Sequence, residues 1–147
     1  MIKVPKAILQ NIFTFLLLTI IPFKINAQQQ EKELITQTIE TYFDGWMKGD
    51  TLKIGSVMHS SCNLKNIKEN KVVIIDRKSY LSRFKLHPKL ENSFGRIITI
   101  DSTGTIASAK CEIETPERIF TDYFNMMLLN DKWYIVDKIS TNIVKSK

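Results

Sequence analysis

The chain predicts an α+β domain in which helices come first and a long antiparallel sheet follows. Three observations carry this. Ile35, Ile39, Tyr42, Phe43 and Trp46 stand at i, i+4, i+7, i+8 and i+11, which is one apolar stripe on a helix. From Arg96 onward the period changes to strand-like alternation broken by turn residues. The stripe is also heavy in aromatic rings, and a face that large must be covered. Only the later strands can cover it, so the sheet has to curl around the first helix.

The elements follow in order. The first helix runs from about Glu31 to Lys48 and is stopped by Gly49. Asp50 caps a second helix that reaches about Met58 and buries Leu52, Val57 and Met58. A strand over Ser61 to Ile67 turns back at Lys68-Glu69-Asn70 into Val72-Val73-Ile74-Ile75. Asp76 opens a third helix, Arg77 to Lys85, that buries Tyr80, Leu81 and Phe84. Leu86 to Ser93, with His87-Pro88, is a loop. Arg96 to Asp101 alternates, with isoleucines at 98 and 100, and turns at Asp101-Ser-Thr-Gly104 into Thr105 to Thr115. Pro116 interrupts. Phe120 to Leu129 then pairs through Asn130-Asp131 with Trp133 to Ser140, and the residues from Asn142 read as a frayed tail.

The N-terminus reads differently. Lys3 and Lys6 precede an apolar run, Ala7 to Phe23, that ends at Lys24-Ile25-Asn26-Ala27 before an abruptly polar Gln28-Gln29-Gln30. This is the layout of a secretory signal, with residues 1–27 removed after Ala27 and a single domain over 28–147. The expected location is therefore periplasmic or secreted, with no membrane span after cleavage. The formal charge is +6, of which Lys3, Lys6 and Lys24 supply three, leaving about +3 for the mature chain. That small excess, on an exported protein, argues against a nucleic-acid partner. Apart from Lys65, Lys68 and Lys71, and then Arg77 and Lys78, the basic residues are scattered. Two cysteines and two histidines are too few, and wrongly spaced, for a metal site. Cys62 and Cys111 could bond only if their Cα atoms approach within about 7 Å, which the sequence leaves open.

The sharpest chemical candidate is Asp122. It alternates in phase with Phe120, Phe124, Met126 and Leu128 on an otherwise apolar strand face. A two-residue turn at Asn130-Asp131 sets Leu128 opposite Trp133, Met126 opposite Ile135 and Phe124 opposite Asp137. Asp122 and Asp137 then share the Trp133 face. A carboxyl in such surroundings is a general acid or base in waiting, unless a register slip turns it outward. Tyr42 lies on the helix face the sheet covers, and its hydroxyl needs a partner there. His59 ends the second helix, where it suits the helix dipole. Trp46 and Phe84 read as core or pocket wall, Lys65 as an exposed strand lysine that could meet an anion, and Tyr123 as an outer-face residue.

These pieces together resemble the nuclear transport factor 2-like superfamily, and within it the branch known as putative lumazine-binding proteins. The residues that carry the resemblance are Tyr42-Phe-Asp-Gly-Trp-Met-Lys-Gly-Asp50, His59, the Arg77 to Phe84 helix, Ile100 to Lys110, Asp122-Tyr123 and Lys132-Trp-Tyr-Ile-Val136. The resemblance spans about residues 30 to 142. It implies a cone-shaped fold, with three helices from the N-terminal half packed in a strongly curved antiparallel sheet. It also implies a pocket at the wide end and homodimers packed through the sheet. In such a cone, Tyr42, Trp46, His59, Phe84 and Asp122 would line a site for a small, partly apolar ligand, without catalysis and without a cofactor. The alternatives are proton-transfer chemistry of the isomerase, dehydratase or cyclase type, with Asp122, Tyr42 and His59 as the candidates, or a structural dimerisation module. Ketosteroid isomerase uses a first-helix tyrosine and a strand acid, but its general-base aspartate has no counterpart here, where the strand after the second helix reads Ser-Ser-Cys-Asn-Leu-Lys.

Overall fold

The computed structural model describes residues 28–146. The proposed signal segment, 1–27, lies outside them. Residues 28–48 are helical and form α1. The chain divides after Glu33, and the fold described below is that of the unit from Leu34 onward. In it α1 is followed by α2 (Thr51–Val57), β1 (Met58–Lys68), β2 (Lys71–Asp76), α3 (Arg77–Leu81), β3 (Phe94–Thr103), β4 (Ile106–Glu114), β5 (Arg118–Leu129) and β6 (Lys132–Val144). This is an α+β cone fold: the six strands form one curved, unclosed sheet in the order β2-β1-β6-β5-β4-β3.

The local signals act as their chemistry requires. Gly49 takes φ 62°, a left-handed conformation that stops α1. A Cβ there would also collide with the Lys85 carbonyl. The Asp50 side chain accepts from the backbone N–H groups of Leu52 and Lys53, and Asp76 from that of Ser79. Glu69-Asn70 and Asn130-Asp131 both have positive φ at both positions, the backbone of tight hairpin turns. The aromatic stripe is covered as expected. Ile35, Ile39, Tyr42 and Phe43 are buried, and the Phe43 ring lies where a side chain on Gly95 of β3 would stand.

Several boundaries and faces differ from the sequence reading. Leu52 is 84% exposed and Ile54 is buried in its place, whereas Val57 and Met58 are buried as expected. The chain is already extended at Met58, so His59 belongs to β1 rather than to a helix end. Helix α3 ends at Leu81. Asn142 pairs with Phe120 and Val144 with Arg118, so the expected tail is the end of β6. The β1–β6 pairing is parallel, within a sheet whose other neighbours are antiparallel. The register also shifts between Ile97 and Thr99 of β3, which leaves Ile98 outside and 45% exposed.

The most consequential shift is in β6. Met126 pairs with Ile135 as expected, but Asn125 pairs with Asp137, so Val136 is an extra residue. This bulge reverses the phase of everything after it. Lys138, not Asp137, faces Phe124, and Ser140 faces Asp122. One row of the inner face then reads Ile75, Leu64, Lys138, Phe124, Ala109 and Ile100 across all six strands. The adjoining outer row reads Asp76, Asn63, Asp137, Asn125, Ser108 and Asp101, and every member is polar.

Candidate functional site

A lysine in the middle of an apolar row needs compensation, and three elements supply it. Lys138 is 3% exposed and Asp122 1%. The Lys138 ammonium donates to Asp122 Oδ1 at 2.6 Å and approaches Ser140 Oγ at 3.4 Å. The Ser140 hydroxyl donates to the same Asp122 oxygen at 2.6 Å. The remaining surroundings of the ammonium are ring faces. Tyr42 lies 5.6 Å from it, Tyr80 5.8 Å and Phe124 5.8 Å, contributed by α1, α3 and β5. Cation–π contacts of this kind strengthen when water is excluded. Burial nevertheless pushes the Lys138 amine below its ordinary range, while the Asp122 charge pulls it back up.

The two tyrosines close the cluster. Their hydroxyls are 2.6 Å apart and buried, so each is the other's partner. Burial first, then the neighbouring Tyr80 and the negative charge of Asp122, hold Tyr42 well above the ordinary phenol range. Burial likewise raises Tyr80, against hydrogen bonding with Tyr42 and Trp46 that favours its ionised form. Both remain neutral donors at physiological pH. Cys62 and Cys111 are free and buried, and burial pushes both thiols up to about 12. Two further ring contacts border this polar centre. Phe84 stands edge-on to Tyr80 at 5.0 Å, and Trp46 edge-on to Phe120 at 5.1 Å; Trp46, Phe84 and Phe120 are only partly buried.

The structure thus brings Tyr42 and Asp122 into one cluster, with Trp46 and Phe84 beside it. His59 is elsewhere. It sits in the irregular stretch between the Met58 and Asn63 pairings, bonds Ser61 Oγ at 2.8 Å, and sets its ring against Tyr134. Tyr134 alternates out of phase with buried Trp133 and Ile135, so His59 is on the outer face. Asp137 also leaves the inner face and pairs with Lys65, which is therefore occupied rather than free for an anion. Tyr123 lies outside as expected, 49% exposed, under Lys110.

Lys138, Ser140 and Tyr80 were missed as site residues. Two buried tyrosines that both needed a partner could have been matched to each other from sequence. Lys138 could not be found without the bulge, because strict alternation puts it outside.

The arrangement is a buried network of two neutral phenols beside a compensated ion pair, bordered by aromatic rings. A family model described as putative lumazine-binding matches residues 30–140. No curated protein matches the chain. Among solved structures, an NTF2-like protein of unknown function from Shewanella baltica is similar, with a TM-score of 0.72 at 24% identity over 78% of this chain and 94% of that one. Another, from Methylobacillus flagellatus, scores 0.68 at 23% identity over 80% and 94%. A protein described as a putative scytalone dehydratase, from Novosphingobium aromaticivorans, scores 0.62 at 11% identity over 84% and 93%. At these identities the likenesses establish the fold.

Proposed function

Since the chain belongs to the putative lumazine-binding family of nuclear transport factor 2-like proteins, we propose that it is an exported domain that binds a small, partly apolar molecule without catalysis. The observation that supports this is the buried cluster of Asp122, Lys138, Ser140, Tyr42 and Tyr80, bordered by the partly buried rings of Trp46, Phe84 and Phe120. A ligand entering past Trp46, Phe84 and Phe120 meets apolar walls and then two phenol hydroxyls, the combination typical of small-molecule sites. Asp122 accepts from two donors, which suits fixing geometry better than taking a proton from carbon.

Thermal-shift screening with small aromatic and polyketide-like molecules, repeated on Tyr42→Phe and Asp122→Asn, tests the site. Hits should weaken about tenfold in Tyr42→Phe, the loss of one buried hydrogen bond. Hits unchanged in both variants would place the ligand elsewhere. The Tyr42–Tyr80 hydroxyl pair specifically favours a second reading, proton transfer through an enolate held by two neutral phenols. A hit that is isomerised or dehydrated during incubation, seen by mass spectrometry, would replace binding with that reading.

The same proposal includes export and a homodimer. The residue pattern of 1–27 supports export, and the N-terminal mass of protein recovered outside the producing cell should begin at Gln28. An outer row that reads Ile74, Lys65, Ile139 and Tyr123, with Met127 and Ile143 exposed further along the same strands, supports a dimer through the sheet. Sedimentation of Tyr123→Glu beside the parent should show the dimer dissociating; a parent that is already monomeric removes that part.

A further inference from the structure

The corner where α1 turns into α2 carries an unusual combination of exposed leucines and uncompensated cations. Between Asp76 and Glu91 the sequence holds Arg77, Lys78, Arg83, Lys85 and Lys89, and no carboxylate. Arg77 is used internally, donating to the carbonyls of Gly55 and Met58. Lys78, Arg83, Lys85 and Lys89 are exposed and take part in no ion pair among the described residues. Leu86, between them, is 77% exposed, and Leu52 is 84% exposed.

These residues form one surface. His87 donates its backbone N–H to the Lys48 carbonyl at 2.9 Å, and Leu90 to that of Met47 at 3.0 Å, which fastens the loop to the end of α1. The Lys85 carbonyl and the His87 ring lie against Gly49. Leu52, three residues further on, lines a shallow groove with Lys78, Leu81 and Ser82. Of the nearby acids Glu91 alone is exposed with neither an ion pair nor a helix to cap among the described residues, one charge against four cations. The others are engaged. Asp50 and Asp76 cap helices, and Asp44 pairs with Lys48 and Lys53.

We propose that this corner docks the protein onto an anionic bilayer surface, with Leu52 and Leu86 entering the headgroup region and Lys78, Arg83, Lys85 and Lys89 meeting lipid phosphates. The charge is complementary to such a surface, and protruding single leucines ringed by cations are the shape that interfacial insertion uses. An acidic protein partner fits less well, because it would need an apolar patch or groove of its own shape rather than isolated projections. A nucleic acid fits less well again. The corner offers no exposed Phe, Tyr or Trp ring for stacking bases: Phe84 is packed against the core, and the His87 ring lies against Gly49. This docking is peripheral, and no helix among the described residues is long and apolar enough to cross a membrane.

Co-sedimentation of the exported form, Gln28 to Lys147, with phosphatidylglycerol-rich vesicles and with pure phosphatidylcholine vesicles tests it. Binding should favour the anionic vesicles and weaken with salt. Lys85→Gln/Lys89→Gln should lose about thirtyfold in partitioning, since each cation near such a surface contributes about fivefold. Leu86→Ser should lose about tenfold at unchanged charge. Lys68→Gln/Lys71→Gln, the same charge change at the far β1–β2 turn, should bind as the parent does. Equal binding to both vesicle types, insensitivity to the corner substitutions, or no binding would each overturn the proposal. So would a corner that binds polyglutamate through the lysines but ignores Leu86→Ser, which would make it a site for an acidic macromolecule. All these side chains are exposed, so unchanged melting curves will confirm that the variants fold.

Discussion

Two adjacent residues of β6 end in opposite situations. Asp137 pairs with Lys65 on the outer face, where the two side chains are 21% and 36% exposed. Lys138 pairs with Asp122 on the inner face, at 4% and 2%. The partners are chemically the same and one residue apart. What separates them is Val136, the extra residue that fixes which of the two faces the core. The outer pair trades one hydrated state for another, so it contributes little. The inner pair has given up water, and the buried Lys138 ammonium depends on the Asp122 carboxylate beside it.

The comparison breaks most visibly at Asp122. Asp122→Ala leaves an ammonium buried among Tyr42, Tyr80 and Phe124 with only Ser140 to accept from it. The expected cost is about 3–5 kcal/mol, or on the order of 10–20 °C in Tm. The double variant Asp122→Leu/Lys138→Met should recover most of that loss, because an apolar pair of similar volume removes the stranded charge. Denaturant melts of the parent, Asp122→Leu, Lys138→Met and the double form a closed cycle, with Asp122→Ala measured beside it. An Asp122→Ala cost of less than about 1 kcal/mol would mean that the pair is not desolvated as described.

A weaker break comes from pH. Cys62 and Cys111 flank the same cluster, with thiols raised from 9.0 to about 12. The unfolded chain loses those protons near pH 9 while the folded chain keeps them until about 12. The stability they contribute is therefore complete below pH 9 and is lost as pH climbs toward 12. Tyr42 and Tyr80 act with the same sign at higher pH. Lys138 acts with the opposite sign, because its amine is lowered by burial and sheds its proton more easily folded than unfolded. Tm measured from pH 8 to 11 should fall, and should fall less steeply in Cys62→Ala/Cys111→Ala. Parallel slopes would show that the thiols are not a source of the alkaline limb.

The two faces also mark what the sequence could and could not disclose. The aromatic stripe of α1, both helix caps and both tight hairpins follow from local chemistry at named residues, and they were legible. The inward aim of Asp122 was legible too, because no irregularity separates it from Phe124 and Met126 in β5. Asp137 was not, since alternation counted from Trp133 cannot reveal an inserted Val136. His59 was misplaced for a related reason. The chain leaves helical geometry at Met58, and the next residues oppose a stretch of β6 too short to pair them all. Leu52 is a different case, because Ile54, Val57 and Met58 stand at i, i+3 and i+4 and the helical period already puts Leu52 on the opposite side. Local rules thus failed where a count of residues between two elements, rather than a residue type, decides the outcome.

The smallest expected effect is at the outer pair, and it is the one that isolates burial as the cause. Asp137→Ala removes a carboxylate that touches Lys65, as Asp122→Ala removes one that touches Lys138. The freed Lys65 can turn into water, whereas Lys138 cannot. The loss should be about 0–1 kcal/mol and should shrink further in high salt, since only exposed pairs are screened. Lys65→Ala should cost about the same, and the two losses should not add, because each ends the same contact. If Asp137→Ala instead matched Asp122→Ala, the carboxylate would be serving the bulge itself rather than Lys65. Lys65→Ala would then remain mild while Asp137→Ala alone was severe, and that asymmetry would shift the account of β6 from charge to backbone.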